Sequence, residues 1–138
     1  RGLIHGDLFF DNLLFDDKSG ELVFKAIIDF EEACHYYSVF ELGMAAIGSC
    51  VDENTCVNLD KVRALVTGYQ QIRTLRSIEK QSLQLFVRYG AIATSYWRFN
   101  KYNIEEPGVG KANHHWQMVQ LANEISNIPE SQFLDAIF

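Results

Sequence analysis

Twelve residues near the start constrain this chain more than anything after them: Leu3-Ile4-His5-Gly6-Asp7-Leu8-Phe9-Phe10-Asp11-Asn12-Leu13-Leu14. Leu3–Ile4 reads as the end of a short buried strand. The polar loop that follows has no clean periodicity, and Asn12 comes five positions after Asp7. Leu13 to Phe15, the connection Asp16-Asp17-Lys18-Ser19-Gly20, and Leu22 to Ile28 read as a β hairpin, two apolar runs around a polar, glycine-containing turn. Beyond Asp29 strand character is expected to end. Three oxygen-bearing side chains, Asp7, Asn12 and Asp29, are thereby tied to one hairpin.

The remainder predicts helices. Val39 to about Cys50 is apolar with little polar face, and a loop through Asp52-Glu53-Asn54 follows. Asn58 is a plausible N-cap for a helix whose Leu59, Val62, Val66, Tyr69 and Ile72 fall at three- and four-residue steps. The next helix, about Ser77 to Tyr102, repeats the pattern with Leu83, Phe86, Val87, Gly90, Thr94 and Trp97. Pro107, Gly108 and Gly110 punctuate a loop, and a helix from Asn113 to about Asn127 and a short one after Pro129 close the chain. A small β element followed by about five helices is a segregated, α+β pattern rather than a wound βαβ sheet. At 138 residues the chain is long enough for one core and too short to argue for two, so residues 1–138 are expected to form a single domain.

Composition excludes several classes. A net charge of −6 makes a nucleic-acid partner improbable, because phosphate-backbone binding needs a basic face. No stretch approaches the roughly 20 apolar residues of a membrane helix, and the longest apolar run, Val39 to Val51, is broken by Glu41. No membrane partner is expected. The first residues carry no signal-peptide pattern, and Cys34, Cys50 and Cys56 form no CxxC pair, which fits reduced thiols in a cytoplasmic protein. The chain begins at Arg1 and runs straight into its dense motif, as expected of a start in mid-domain. Oligomeric state has no signature here.

The residue types in the motif suit phosphoryl transfer, which needs positioning and charge stabilisation more than covalent help. One carboxylate must receive the proton of an attacking hydroxyl, and Asp7 suits that role. Two oxygen ligands must hold the hard Mg²⁺ ions that bridge the phosphates of ATP, and Asn12 with Asp29 would supply them.

His5-Gly6-Asp7, then Asn12, then Ile28-Asp29-Phe30-Glu31 resembles the aminoglycoside phosphotransferase and choline-kinase-like superfamily, relatives of the protein kinases. The resemblance rests on about the first 30 residues. It implies a protein-kinase-like C-terminal lobe, ATP and Mg²⁺ as cofactors, Asp7 as catalytic base, and Asn12 and Asp29 as metal ligands. Phe40-Glu41-Leu42-Gly43 departs from the family's aromatic-Asp-Leu run at Glu41, which leaves that position's role open. Gly6 stands where protein kinases carry Arg, and only about eight residues, Phe30 to Tyr37, separate Asp29 from the next helix. That leaves no room for an activation segment, so a small-molecule acceptor is expected.

Ala91 to Phe99 with Lys101-Tyr102-Asn103-Ile104 and Pro107 resembles the homoserine-kinase-type branch, in which an aromatic-Trp-Arg helix lines the acceptor site. This implies homoserine as acceptor, with Arg98 pairing with its carboxylate and Tyr36 and Trp97 bordering it. The competing readings are that Trp97 packs in the core and that Tyr36 and Tyr37 simply open the next helix. A choline-like, aminoglycoside or amino-alcohol acceptor is the alternative, as is a non-catalytic kinase-like binding module. His5 reads as a packing residue, Asp11 as a loop solubiliser or turn former, Glu31 and Glu32 as either second-sphere to the metal or an exposed acidic pair, and His114 and His115 as surface or packing residues. No Gly-rich phosphate loop or strand Lys–helix Glu pair occurs, and Gly108-Val109-Gly110 is too short a match. The N-terminal nucleotide lobe is thus expected to be absent, and the chain alone to bind Mg·ATP weakly with little activity.

Overall fold

A computed structural model describes residues 1–18, 20–52 and 55–138. Ser19 of the expected turn and Glu53-Asn54 of the expected loop lie outside them.

The architecture is α+β, a kinase-like C-terminal lobe. Among the described residues two small antiparallel ribbons carry the polar loops and five α-helices form the base. β1 (Gly2–Ile4) leads into the loop, a 3₁₀ turn at Phe10–Asn12 closes it, and β2 (Leu13–Lys18) with β3 (Glu21–Ile27) forms the expected hairpin. A bulge between Leu14 and Phe15 shifts the pairing so that Leu14 faces Ala26 while Phe15 faces Phe24.

Strand structure does not end at Asp29. After a 3₁₀ turn at Phe30–Glu32, β4 (Cys34–Tyr36) pairs antiparallel with β1, setting Gly2 against Tyr36 and Ile4 against Cys34. Three residues, Cys-His-Tyr, are too few and too polar to show strand alternation, and their pairing depends on β1 being near. A two-stranded ribbon buries one face only, so Ile4 is buried while Leu3 stands 80% exposed.

α1 (Ser38–Ser49) buries Val39, Leu42, Gly43, Met44, Ala45, Ala46 and Ile47, as a helix with almost no polar face must. α2 (Leu59–Ile72) starts at Asn58, whose side-chain oxygen accepts the Lys61 backbone N–H at 3.0 Å, the expected N-cap. Its Val62 and Val66 are buried, whereas Ile72, the last residue of the stripe, is 93% exposed because the helix has passed its packing partners.

α3 (Ser77–Asn100) is the spine, packed along α1 on one side and α4 (His115–Asn127) on the other. Leu83, Val87, Gly90 and Ala91 are buried. The helix stops two residues short of Tyr102, where the backbone widens into a π turn at Lys101–Glu105. Trp97 is 54% exposed, so the core role weighed for it does not hold. α5 (Glu130–Ile137) seals the base with fully buried Phe133. Among the described residues no helix is long and apolar enough to cross a membrane.

Candidate active site

The loop from His5 to Asn12 is held from three directions. From below, Glu41 in the first turn of α1 spends both carboxylate oxygens on it, accepting the His5 N–H at 2.8 Å and the Gly6 N–H at 3.0 Å. From the side, His5 is 5% exposed; its Nε2 pairs with the Ile28 carbonyl at 2.7 Å and its Nδ1 accepts the Asp7 N–H at 3.3 Å. With a carbonyl on one nitrogen and an amide N–H on the other, the ring is the neutral Nε2–H tautomer. Phe30 tilts against it, ring centroids 4.7 Å apart. This matches the packing role expected of His5. From above, the Asn12 carbonyl accepts the Ile28 N–H at 3.0 Å and ties the loop's end to the exit of β3.

Gly6 is required at its position. Its φ is +88°, and a Cβ there would stand 2.6 Å from the Glu32 carbonyl oxygen. The close pass between the loop and the Phe30–Glu32 turn leaves no room for the Arg that protein kinases carry.

Asp7 and Asn12 are brought together as their spacing suggested. The Asn12 Nδ2 donates to the Asp7 backbone oxygen at 2.8 Å and to its carboxylate Oδ2 at 3.1 Å. Burial pushes the Asp7 carboxyl up; the Asn12 hydrogen bond opposes this, and the charges of Asp11 and Asp29 add to the rise. Asp29 forms no hydrogen bond to either residue among the described residues, but its charge reaches Asp7. Its backbone is left-handed, φ 63°, ψ 63°, a conformation that costs a non-glycine residue about 1 kcal/mol and that Asp tolerates better than most. Glu31 and Glu32 are exposed on the adjoining turn.

The donor set suits a hard cation. The Asn12 amide nitrogen is engaged by Asp7, so its oxygen is the atom it presents to a metal, and Asp29 is the candidate carboxylate ligand beside it. Among the described residues no group of three or more His, Cys, Asp or Glu is arranged as a metal cage. Two or three protein oxygens completed by phosphate and water is the coordination Mg²⁺ prefers.

The acceptor candidates are placed unevenly. Arg98, half-buried near the end of α3, donates from Nη1 to Gln117 Oε1 at 2.8 Å and to the His114 carbonyl at 3.3 Å. Burial lowers its pKa while the charges of Tyr102 and Asp11 raise it. Trp97 lies next to it, edge-on to Tyr102 at 6.1 Å. Tyr36 is not brought to this loop: it stands opposite Gly2, packed against Tyr37 and Phe40 in an aromatic cluster at the start of α1. His114 and His115 pack on Tyr102 and Phe99, as their surface-or-packing reading held.

Sequence reasoning found Glu41 only as a departure and missed Gln117 altogether. The available signal for Glu41 was an acidic residue in the first turn of an otherwise apolar helix, a charge with nowhere to go except back to the preceding loop.

Residues 1–75 match the model of the phosphotransferase enzyme family. Curated proteins similar to the chain include a homoserine kinase of Methylobacillus flagellatus, 32% identical over 115 residues, covering 83% of this chain and 34% of that protein. A homoserine kinase of Bartonella henselae is 30% identical over 138 residues, covering 96% of this chain and 41% of that protein. One of Rhodopseudomonas palustris is 36% identical over 94 residues, covering 67% and 27%. The chain spans about a third of the length of the curated relatives it matches.

Proposed function

This chain belongs to the phosphotransferase enzyme family, and from that membership we propose that it is the C-terminal lobe of a kinase that moves the γ-phosphate of ATP to a hydroxyl of a small molecule, with homoserine as first candidate. The observation that carries the reading is the coupling of Asp7 to Asn12 with Asp29 in electrostatic range, all at the mouth of one hairpin.

Asp7 takes the hydroxyl proton as the oxygen attacks. Its half-burial favours the neutral form and so makes the carboxylate a better proton acceptor than one in water. The Asn12 N–H bond fixes the carboxylate's rotation, and Glu41 and His5 fix the backbone on which it rides. Asn12 and Asp29 would hold Mg²⁺, which would supply positive charge against the negative charge that develops on the phosphoryl group. Homoserine is favoured by the relatives' names and by Arg98, whose planar guanidinium suits a carboxylate.

The test is ADP formation from Mg·ATP by the full-length protein with homoserine, choline, an aminoglycoside, or no acceptor, beside Asp7→Asn. Acceptor-dependent ADP formation, lost by at least about a thousandfold in Asp7→Asn, is the expected result. Nucleotide binding without stimulation by any acceptor would leave a kinase-like binding module instead. Residues 1–138 alone are expected to turn over little, because nucleotide in this family of reactions is held between two lobes; robust turnover by that segment would contradict the lobe reading.

A further inference from the structure

α3 is apolar on two opposite sides. Its buried Leu83, Val87, Gly90 and Ala91 lie on the side packed against α1 and α4. On the other side stand Ile78, Leu85, Tyr89, Ile92, Tyr96 and Phe99, which are 42–72% exposed. At the helical turn angle these six fall within an arc of about 80° and run about 32 Å along the axis. Their steps of seven, four, three, four and three residues are the spacing of a helix–helix seam. A solvated helix face carries polar residues, whereas this one holds only Gln81 and, at its margin, Arg88.

Area and residue order together say what covers the stripe. At these exposures the six side chains present roughly 100 Å² apiece, so two copies meeting here would bury on the order of 1,200 Å², the size of a stable specific interface. An antiparallel second copy, with its two-fold axis between Arg88 and Tyr89, sets Ile78 against the partner's Phe99 and Leu85 against the partner's Ile92. The same register sets Gln81 against the partner's Tyr96 and Arg88 against the partner's Tyr89. Each polar residue thus meets a tyrosine: the amide has a hydroxyl to bond, and the guanidinium has a ring to stack on. Moving the axis onto Arg88 itself would bring two guanidiniums together, so the one charge on the stripe selects the register.

We propose that this stripe is a homodimer interface in which α3 pairs antiparallel with α3 of a second copy of the chain. A groove of about 600 Å³ beside Ile78 and Leu85, walled across from them by Ile125, Ile128 and Pro129, takes the ring of the partner's Phe99. Arg98 leaves α3 about 160° round from Tyr96, so the pairing leaves the candidate active site of each copy open. The dimer forms whatever reaction that site performs.

The test is sedimentation equilibrium of the full-length protein and its variants across micromolar concentrations, with thermal melting followed by circular dichroism to check folding. The parent should be dimeric. Leu85→Glu and, separately, Ile92→Lys should each weaken the dimer at least about a hundredfold, because each sets two unpaired charges in the interface. The double variant Leu85→Glu/Ile92→Lys should recover most of the lost affinity, since the register places each new acid against a new base of the other copy.

A parent that stays monomeric overturns the proposal. So does a Leu85→Glu variant that loses its native melt, which would show the stripe to be covered within one chain. A dimer that survives both single changes lies elsewhere and rejects the interface. Dissociation in both single variants without recovery in the double variant rejects the antiparallel pairing.

Discussion

Between Gly2 and Tyr36 only Ile4, His5 and Asn12 are buried among the described residues, whereas α1 alone buries seven of its twelve. The first region is two thin ribbons with Phe10, Phe24, Leu22 and Phe30 open to solvent; the second is a continuous core through all five helices. The difference teaches where precision comes from. A two-stranded ribbon is marginal by itself and cannot hold side chains to the tolerance that chemistry needs. The loop borrows rigidity from α1 through one carboxylate, Glu41, and from the exit of β3 at Ile28 through one imidazole, His5. The stable part supplies position and the thin part supplies the reacting groups.

The comparison can be broken first in the helical base. Phe133→Ala empties a fully buried ring site in α5 and should cost about 3–5 kcal/mol in urea unfolding; a cost under about 1 kcal/mol would mean that α5 is not part of the core. The junction of α2 and α3 comes next. Burial pushes the Glu79 carboxyl up, but the guanidiniums of Arg73 at 2.6 Å and Arg76 at 3.0 Å, with the Arg76 N–H, outweigh burial and hold it at about 2, below the usual 4.5. A depressed folded-state value means that the stabilisation is fully present above about pH 4.5 and is lost as pH falls toward 2. It is on the order of 2–3 kcal/mol. Unfolding measured against pH should show Glu79→Gln less stable at neutral pH, the gap to the parent closing as pH approaches 3. A gap independent of pH would reject the linkage.

Smaller effects sharpen the contrast. Asn58→Ala removes the α2 cap and should cost about 1 kcal/mol, with Asn58→Asp or Ser restoring most of it. Leu22→Ser on the hairpin, 68% exposed, should change stability by less than about 0.5 kcal/mol. A larger loss in the full-length protein would show that a further part of the molecule covers the hairpin.

How much could be read in the residues follows the same division. The hairpin was legible because Gly20 and its acidic neighbours separate two apolar runs, and α2 because Asn58 precedes an unbroken stripe. β4 was not, since its three residues acquire strand geometry only from β1. Asp7 and Asn12 announced their proximity by spacing, which a tight loop converts directly into a hydrogen bond. Trp97 shows the limit of periodicity: it keeps the helical spacing of the core stripe, yet lies where the stripe has run out of neighbours.

The thin region acts only because α1 holds it through Glu41. The most direct measurement is kcat and unfolding free energy on the same full-length preparation of Glu41→Gln, which keeps the side chain's size but offers one accepting oxygen to two backbone N–H groups. In this variant kcat should fall by at least about tenfold while stability drops by no more than about 1–2 kcal/mol. Unchanged kcat in a stably folded variant would contradict it.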